Sequence, residues 1–130
     1  MPLVFQKWIT RDDLRNNPEH MYVFGDNVLR KGLRGQAKEM RGEPNAIGIP
    51  TKWEPTLRPE AFFKDSQFND IRIHIEPDYN RVLDALQAGK TVVWPEDGIG
   101  TGLSRIPKTA PALWNEMTKI LTRFKEEYHA

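Results

Sequence analysis

Three short polar segments of the 130-residue chain carry residues able to do chemistry, and each follows an apolar run. Gly25-Asp26-Asn27 follows Met21-Tyr22-Val23-Phe24, Pro50-Thr51-Lys52 follows Ala46-Ile47-Gly48-Ile49, and Pro95-Glu96-Asp97-Gly98-Ile99-Gly100-Thr101-Gly102 follows Thr91-Val92-Val93-Trp94. Lys52 is the candidate nucleophile. A lysine attacks only when deprotonated, which near neutral pH takes desolvation or cationic neighbours to lower a reference pKa of about 10.4. Pairing with a phosphate, or plain solvation in a loop, are its other readings. Glu96 and Asp97 have the chemistry of a general base, against the plainer reading of solvated acids after a proline. Asp26 and Asn27 both donate and accept, as contacts to a sugar or a base require, and are also ordinary turn formers after glycine. Gly98, Gly100 and Gly102 at alternate positions make the best diphosphate cradle in the chain, because glycine amides approach phosphate oxygens and adopt the positive φ of anion-binding nests. A plain turn has the same composition.

Other chemistries are excluded or unsupported. The chain has no cysteine, which removes disulfides, thiolate metal sites and a cysteine nucleophile. His20, His74 and His129 show no metal-ligand spacing, and neither Ser66 nor Ser104 sits in a Gly-x-Ser-x-Gly elbow. No metal or other cofactor is expected. The glycine loop matches neither the P-loop nor the Gly-x-Gly-x-x-Gly dinucleotide pattern. Nineteen basic against 18 acidic side chains leave a net charge of +1, which gives no global reason to expect a nucleic-acid partner. Locally the balance differs: within 30–42, Arg30, Lys31, Arg34, Lys38 and Arg41 face Glu39 alone. The N-terminal segment carries no leader pattern and no run approaches the roughly 18 apolar residues of a membrane span. A soluble, cytoplasmic protein without a membrane partner is the expectation.

These residues need elements to position them. The length fits one domain over 1–130, and the three apolar runs, rich in β-branched and aromatic residues, read as strands buried on both faces of a parallel α/β sheet. Leu3-Val4-Phe5 reads as an edge strand. Thr10 and Asp13 form a capping box with Ile9 stapled onto Leu14, and Asn17-Pro18 ends that helix. Helical periodicity covers Gln36 to Arg41, Asp78 to Ala88, and a last helix capped by Thr109 with Leu113, Met117, Ile120, Leu121 and Phe124 on its inner stripe. Ile71 to Ile75 alternates with period two and reads either as a further strand or as the opening of the helix that follows. Trp8, Trp53, Trp94 and Trp114 read as core. In an open parallel sheet a ligand sits outside the carboxyl ends of the strands, where all three polar segments fall. The stretch Trp53 to Asp65 reads as a long loop over that site.

A strand ending in Asn27, a helix start at Gly32-Leu33-Arg34-Gly35-Gln36-Ala37, a strand leading to Pro50-Thr51-Lys52, and one leading to Pro95-x-x-Gly98-x-Gly100-x-Gly102 together resemble the ADP-ribose-binding macrodomain over roughly residues 20–125. The branch they resemble most is that of the DNA ADP-ribosyl glycohydrolase antitoxins. A group of small phage and bacterial macrodomain-like proteins also shares Phe24-Gly25-Asp26-Asn27 and Gly98-Ile99-Gly100-Thr101-Gly102-Leu103. The resemblance implies a three-layer α/β/α sandwich with a mostly parallel mixed sheet, and ADP-ribose or an ADP-ribosylated macromolecule, DNA or protein, as partner. It places Asn27, which follows the ligand-binding candidates Gly25 and Asp26, near the distal ribose, and makes Gly32 to Ala37, with Gly35 and Gln36, the first loop and helix cap near the diphosphate. Thr51 lies at the second strand end, and Gly98, Ile99, Gly100, Thr101 and Gly102 form the second phosphate loop. Lys52 matches the lysine associated with opening the ADP-ribosyl linkage. Departures are the basic crowding of the first loop and Ser104 where a related glycohydrolase type has an acid, which leaves Asp97 as the nearest acidic partner. Trp53, beside Lys52, is then placed to cover an adenine or ribose. The competing readings are a non-enzymatic reader or sponge of nucleotide signals, and a nucleic-acid or protein-binding module that uses the basic 30–42 segment.

Overall fold

The computed structural model describes residues 2–129. Four strands form one sheet in the order β1-β4-β2-β3, with β1 at Leu3–Gln6, β2 at Met21–Asp26, β3 at Ala46–Pro50 and β4 at Val92–Pro95. All three pairings are parallel, where a mixed sheet was expected. The antiparallel element is an isolated bridge between Lys52 and Phe62, outside the strands. The fold is α/β.

Alternation along the strands divides the apolar residues between two faces. Leu3, Val23, Ile47, Ile49, Val92 and Trp94 pack with α3 (Phe68–Gln87) and α5 (Pro111–Tyr128). Val4, Tyr22, Phe24, Ala46 and Val93 pack on the other face with Ile9, Leu14 of α1 (Arg11–Asn16) and Ala37 and Met40 of the single-turn α2 (Ala37–Met40). Helices therefore cover both faces. The expected capping box on α1 is present, with Thr10 and Asp13 bonding reciprocally, and Asn17 closes the helix.

One open reading is decided and two change. Residues 71–75 are helix: α3 runs unbroken from Phe68, and Ile71 and Ile75 are buried one turn apart while Ile73 is 68% exposed. A strand would have put all three isoleucines on one face; the helix uses two and carries Pro77 inside it. Thr109 does not cap α5. It ends the four-residue α4 (Ile106–Thr109), its hydroxyl donating to the Arg105 carbonyl, while Pro111 opens α5 and the Asp65 carboxylate accepts from the Ala112 and Leu113 N–H groups at 3.1 and 3.2 Å. The cap comes from 47 residues away in sequence, so no local pattern announces it. Trp8 is exposed rather than core, whereas Trp94 is fully buried.

Candidate functional site

β2, β3 and β4 end side by side, and the segments after them wall a cavity of about 450 Å³. Gly25, Asp26, Asn27, Gly32, Gly35, Gln36, Thr51, Lys52, Gly98, Ile99, Gly100 and Gly102 all line it. Asp97 and Thr101 do not. Both are exposed, and Thr101 turns its hydroxyl back onto the Asp97 carbonyl at 3.1 Å.

The floor is a buried ion pair. Arg41 meets Asp26 through both terminal nitrogens, Arg30 lies 3.6 Å from the same carboxylate, and the Asn27 N–H donates to it at 2.8 Å. Both oxygens of Asp26 are therefore engaged inside the protein, and its side chain anchors the loop. Gly48, on the neighbouring strand, makes room for it: a Cβ there would stand 2.6 Å from Asp26 Oδ2. Asn27 and Gln36 are likewise engaged. Asn27 Nδ2 donates to the Lys31 carbonyl, and the Gln36 amide exchanges two hydrogen bonds with the Ile9 backbone, both at 2.9 Å.

Above the floor, donors dominate. Among the described residues, no N–H from Gly32 to Ala37 and none from Ile99 to Ser104 has a hydrogen-bond acceptor. Gly98 and Gly100 take φ of +83° and +82°, the left-handed turns that let successive amides face one concavity. Four cations line the cavity, Lys31, Arg34, Arg41 and Lys52, against the single carboxylate of Asp26. The electrostatics favour an anion.

Lys52 is buried, and its backbone is fixed on both sides: its carbonyl accepts from the Val28 N–H, and the bridge to Phe62 holds the other edge. Its ammonium donates to the Thr56 carbonyl and lies 4.8 Å from the centroid of the Phe62 ring, which also carries the Arg105 guanidinium at 5.5 Å. Burial first, then the charges of Arg34 and Arg105, push the Lys52 pKa below the ordinary lysine value, with Glu54 opposing. Those are the two conditions a reactive lysine needs.

The 53–65 loop does reach the site, through Pro55 and Leu57. Trp53 does not: its ring packs edge-on against Phe63 and His74, and its Nε1 donates to Gln67. Sequence reasoning missed the apolar rim of Leu33, Leu57 and Leu103, each at least half exposed and each on a different loop. It also missed Arg41 as the partner of Asp26, which sat unmarked among the basic residues of 30–42. Of that stretch, Arg30 and Arg41 are taken up by Asp78 and Asp26. Among the described residues no cluster of three or more acidic or histidine side chains is placed to hold a metal ion. Among the described residues no helix is long and apolar enough to cross a membrane.

No curated protein and no solved structure matches the chain. One family does, over residues 4–120, and by that match the chain belongs to the family of unknown function DUF7831.

Proposed function

We propose that the cavity binds ADP-ribose or a related NAD-derived nucleotide. The observation that carries this reading is the excess of donors over acceptors at three converging strand ends: two loops of unpaired amides and four cations around one internally neutralised carboxylate. Such a site is complementary to a diphosphate, and its volume of about 450 Å³ suits a ligand of nucleotide size. The macrodomain-like order of the strand-end segments supports the same ligand.

Turnover of an ADP-ribosyl linkage on DNA or protein would rest on Lys52, the buried lysine with a lowered pKa. The lining favours binding without turnover as the second reading, because Asp26 is its only carboxylate and is already held by Arg41 and the Asn27 N–H, while Asp97 stands outside. The nucleic-acid module is weakened by the loss of Arg30 and Arg41 to internal pairs.

Calorimetric titration with ADP-ribose tests the binding, and release of ADP-ribose from modified DNA and modified protein tests the chemistry, each repeated with Lys52→Ala. Saturable binding is expected; no heat at millimolar ligand removes the reading. Binding without release identifies a reader or sponge.

A further inference from the structure

We infer that Ser104 is a ligand-contact residue of this cavity, its hydroxyl donating to an anionic phosphate oxygen at the end of the second glycine loop. The inference rests on the anion-binding reading above and assigns a contact that reading does not contain. Among the described residues seven polar or charged residues are buried: Asp26, Asn27, Asn45, Thr51, Lys52, Asp78 and Ser104. The first six are partnered, Asn45 with the Leu14 carbonyl, Thr51 with the Asp26 carbonyl, Asp78 with Arg30, and the others as described. Ser104 is the exception. It is 6% exposed, it lines the cavity, and its hydroxyl makes no hydrogen bond among the described residues.

The hydroxyl is not sealed in: among the described residues the one buried side-chain polar atom without a partner is Trp94 Nε1, so Ser104 Oγ opens onto the cavity and takes its partner from there. The surroundings set the chemistry of that partner. The Ile99–Ser104 amides have no acceptors, and the next residue, Arg105, shares the Phe62 ring with the Lys52 ammonium. These amides and cations all have protons to give. A hydroxyl in that company is satisfied by an oxygen-rich anion, which accepts from it and from the amides together. Ser104 thus contributes two donors, its N–H and its O–H, and is kept unpaired in the free protein.

The test uses Ser104→Ala and measures two things: the thermal midpoint of the free protein, and the affinities for ADP-ribose and for inorganic pyrophosphate by calorimetry. The expected result is an unchanged or raised midpoint with affinity lowered about tenfold for both ligands, the size of one hydrogen bond to a charged group. A lowered midpoint with unchanged affinity overturns the inference, because the hydroxyl would then serve the fold. Unchanged affinity for ADP-ribose leaves the binding reading standing and removes the role of Ser104. If the wild type binds pyrophosphate alone, and Ser104→Ala weakens that, the inference stands and the nucleotide reading falls. Binding of neither ligand by the wild type overturns both.

Discussion

Arg41 closes on the buried carboxylate of Asp26 with Nη2 to Oδ1 at 2.5 Å and Nη1 to Oδ2 at 3.2 Å. The same guanidinium donates to the carbonyls of Gly32 and Lys31, at 2.7 and 3.1 Å. One side chain therefore ties the end of β2 to the first glycine loop. Removing it leaves Asp26, whose side chain is 3% exposed, with only the Arg30 guanidinium beside its charge, 3.6 Å away and already paired with Asp78. Arg41→Ala is expected to lower stability by about 3 kcal/mol. Arg41→Lys should fall between the two, since an ammonium keeps the charge but cannot span both oxygens and the carbonyls. Urea melts of the three proteins check this, and a midpoint for Arg41→Ala equal to wild type would show the pair to be idle.

The three glycines of the second loop are not equivalent. Gly100 has φ +82°, and a Cβ there would meet Ile106 Cδ1 at 2.8 Å; Gly102 has neither a positive φ nor an atom within 4 Å. Gly100→Ala should cost about 2 kcal/mol, from a left-handed backbone and an overpacked contact, while Gly102→Ala stays within about 0.5 kcal/mol of wild type. Thermal melts of both variants decide, and equal losses would contradict this division of labour.

That asymmetry marks where the sequence could be read and where it could not. Strand runs and their polar endings depend on local order, so the sheet, the cavity's position and most of its lining follow from residues near one another in the chain. The partners of those residues do not. Asp26 and Asn27 look like ligand contacts until Arg41, 15 positions on, is seen on the carboxylate. Asp65 caps α5 from a distance that no motif spans. Ile71 to Ile75 read equally as strand or helix because period two and period 3.6 agree at Ile71 and Ile75 and differ only at Ile73 between them. Asp97 was placed by adjacency to the loop, and adjacency along a turn says nothing about which side of it faces the cavity.

Lys52 makes stability depend on pH in a stated direction. Its pKa is lowered in the folded protein, by burial and then by Arg34 and Arg105, from the ordinary value of 10.5. Between the lowered value and 10.5 the unfolded chain holds more protons at this position than the folded one, so this contribution to stability rises with pH across that window. Lys52→Met abolishes it. The urea midpoint of the wild type, relative to that of Lys52→Met, should climb as pH is raised from about 7 to about 10, through the lysine range. A bound anion reverses the shift, so binding in that window should take up a proton. Calorimetry in buffers of different ionisation enthalpy reads the uptake, and its absence would place Lys52 away from the ligand's charge.

The ammonium of Lys52 is covered in the free protein by the Thr56 carbonyl, on a strap that Glu54 latches by accepting from Thr56 Oγ1 and Arg58 Nη2, each at 2.9 Å. Pro55 of the same strap abuts the first loop, where a Cβ on Gly32 would stand 3.0 Å from its Cβ. The Thr56 carbonyl takes one of the three ammonium donors and covers that side of the amine, so loosening the latch should expose it further. The double variant Thr56→Ala/Arg58→Ala isolates that effect. Removing Glu54 instead would raise reactivity simply by removing the charge that favours the protonated amine, whereas loss of Arg58 leaves Glu54 in place. Reductive methylation followed by peptide mass spectrometry should show Lys52 labelled about threefold faster in the variant, the scale of an exposed ion pair, with exposed Lys64 unchanged. Equal rates at Lys52 would mean that the latch does not hold the Thr56 carbonyl in place, and that the strap does not gate the site.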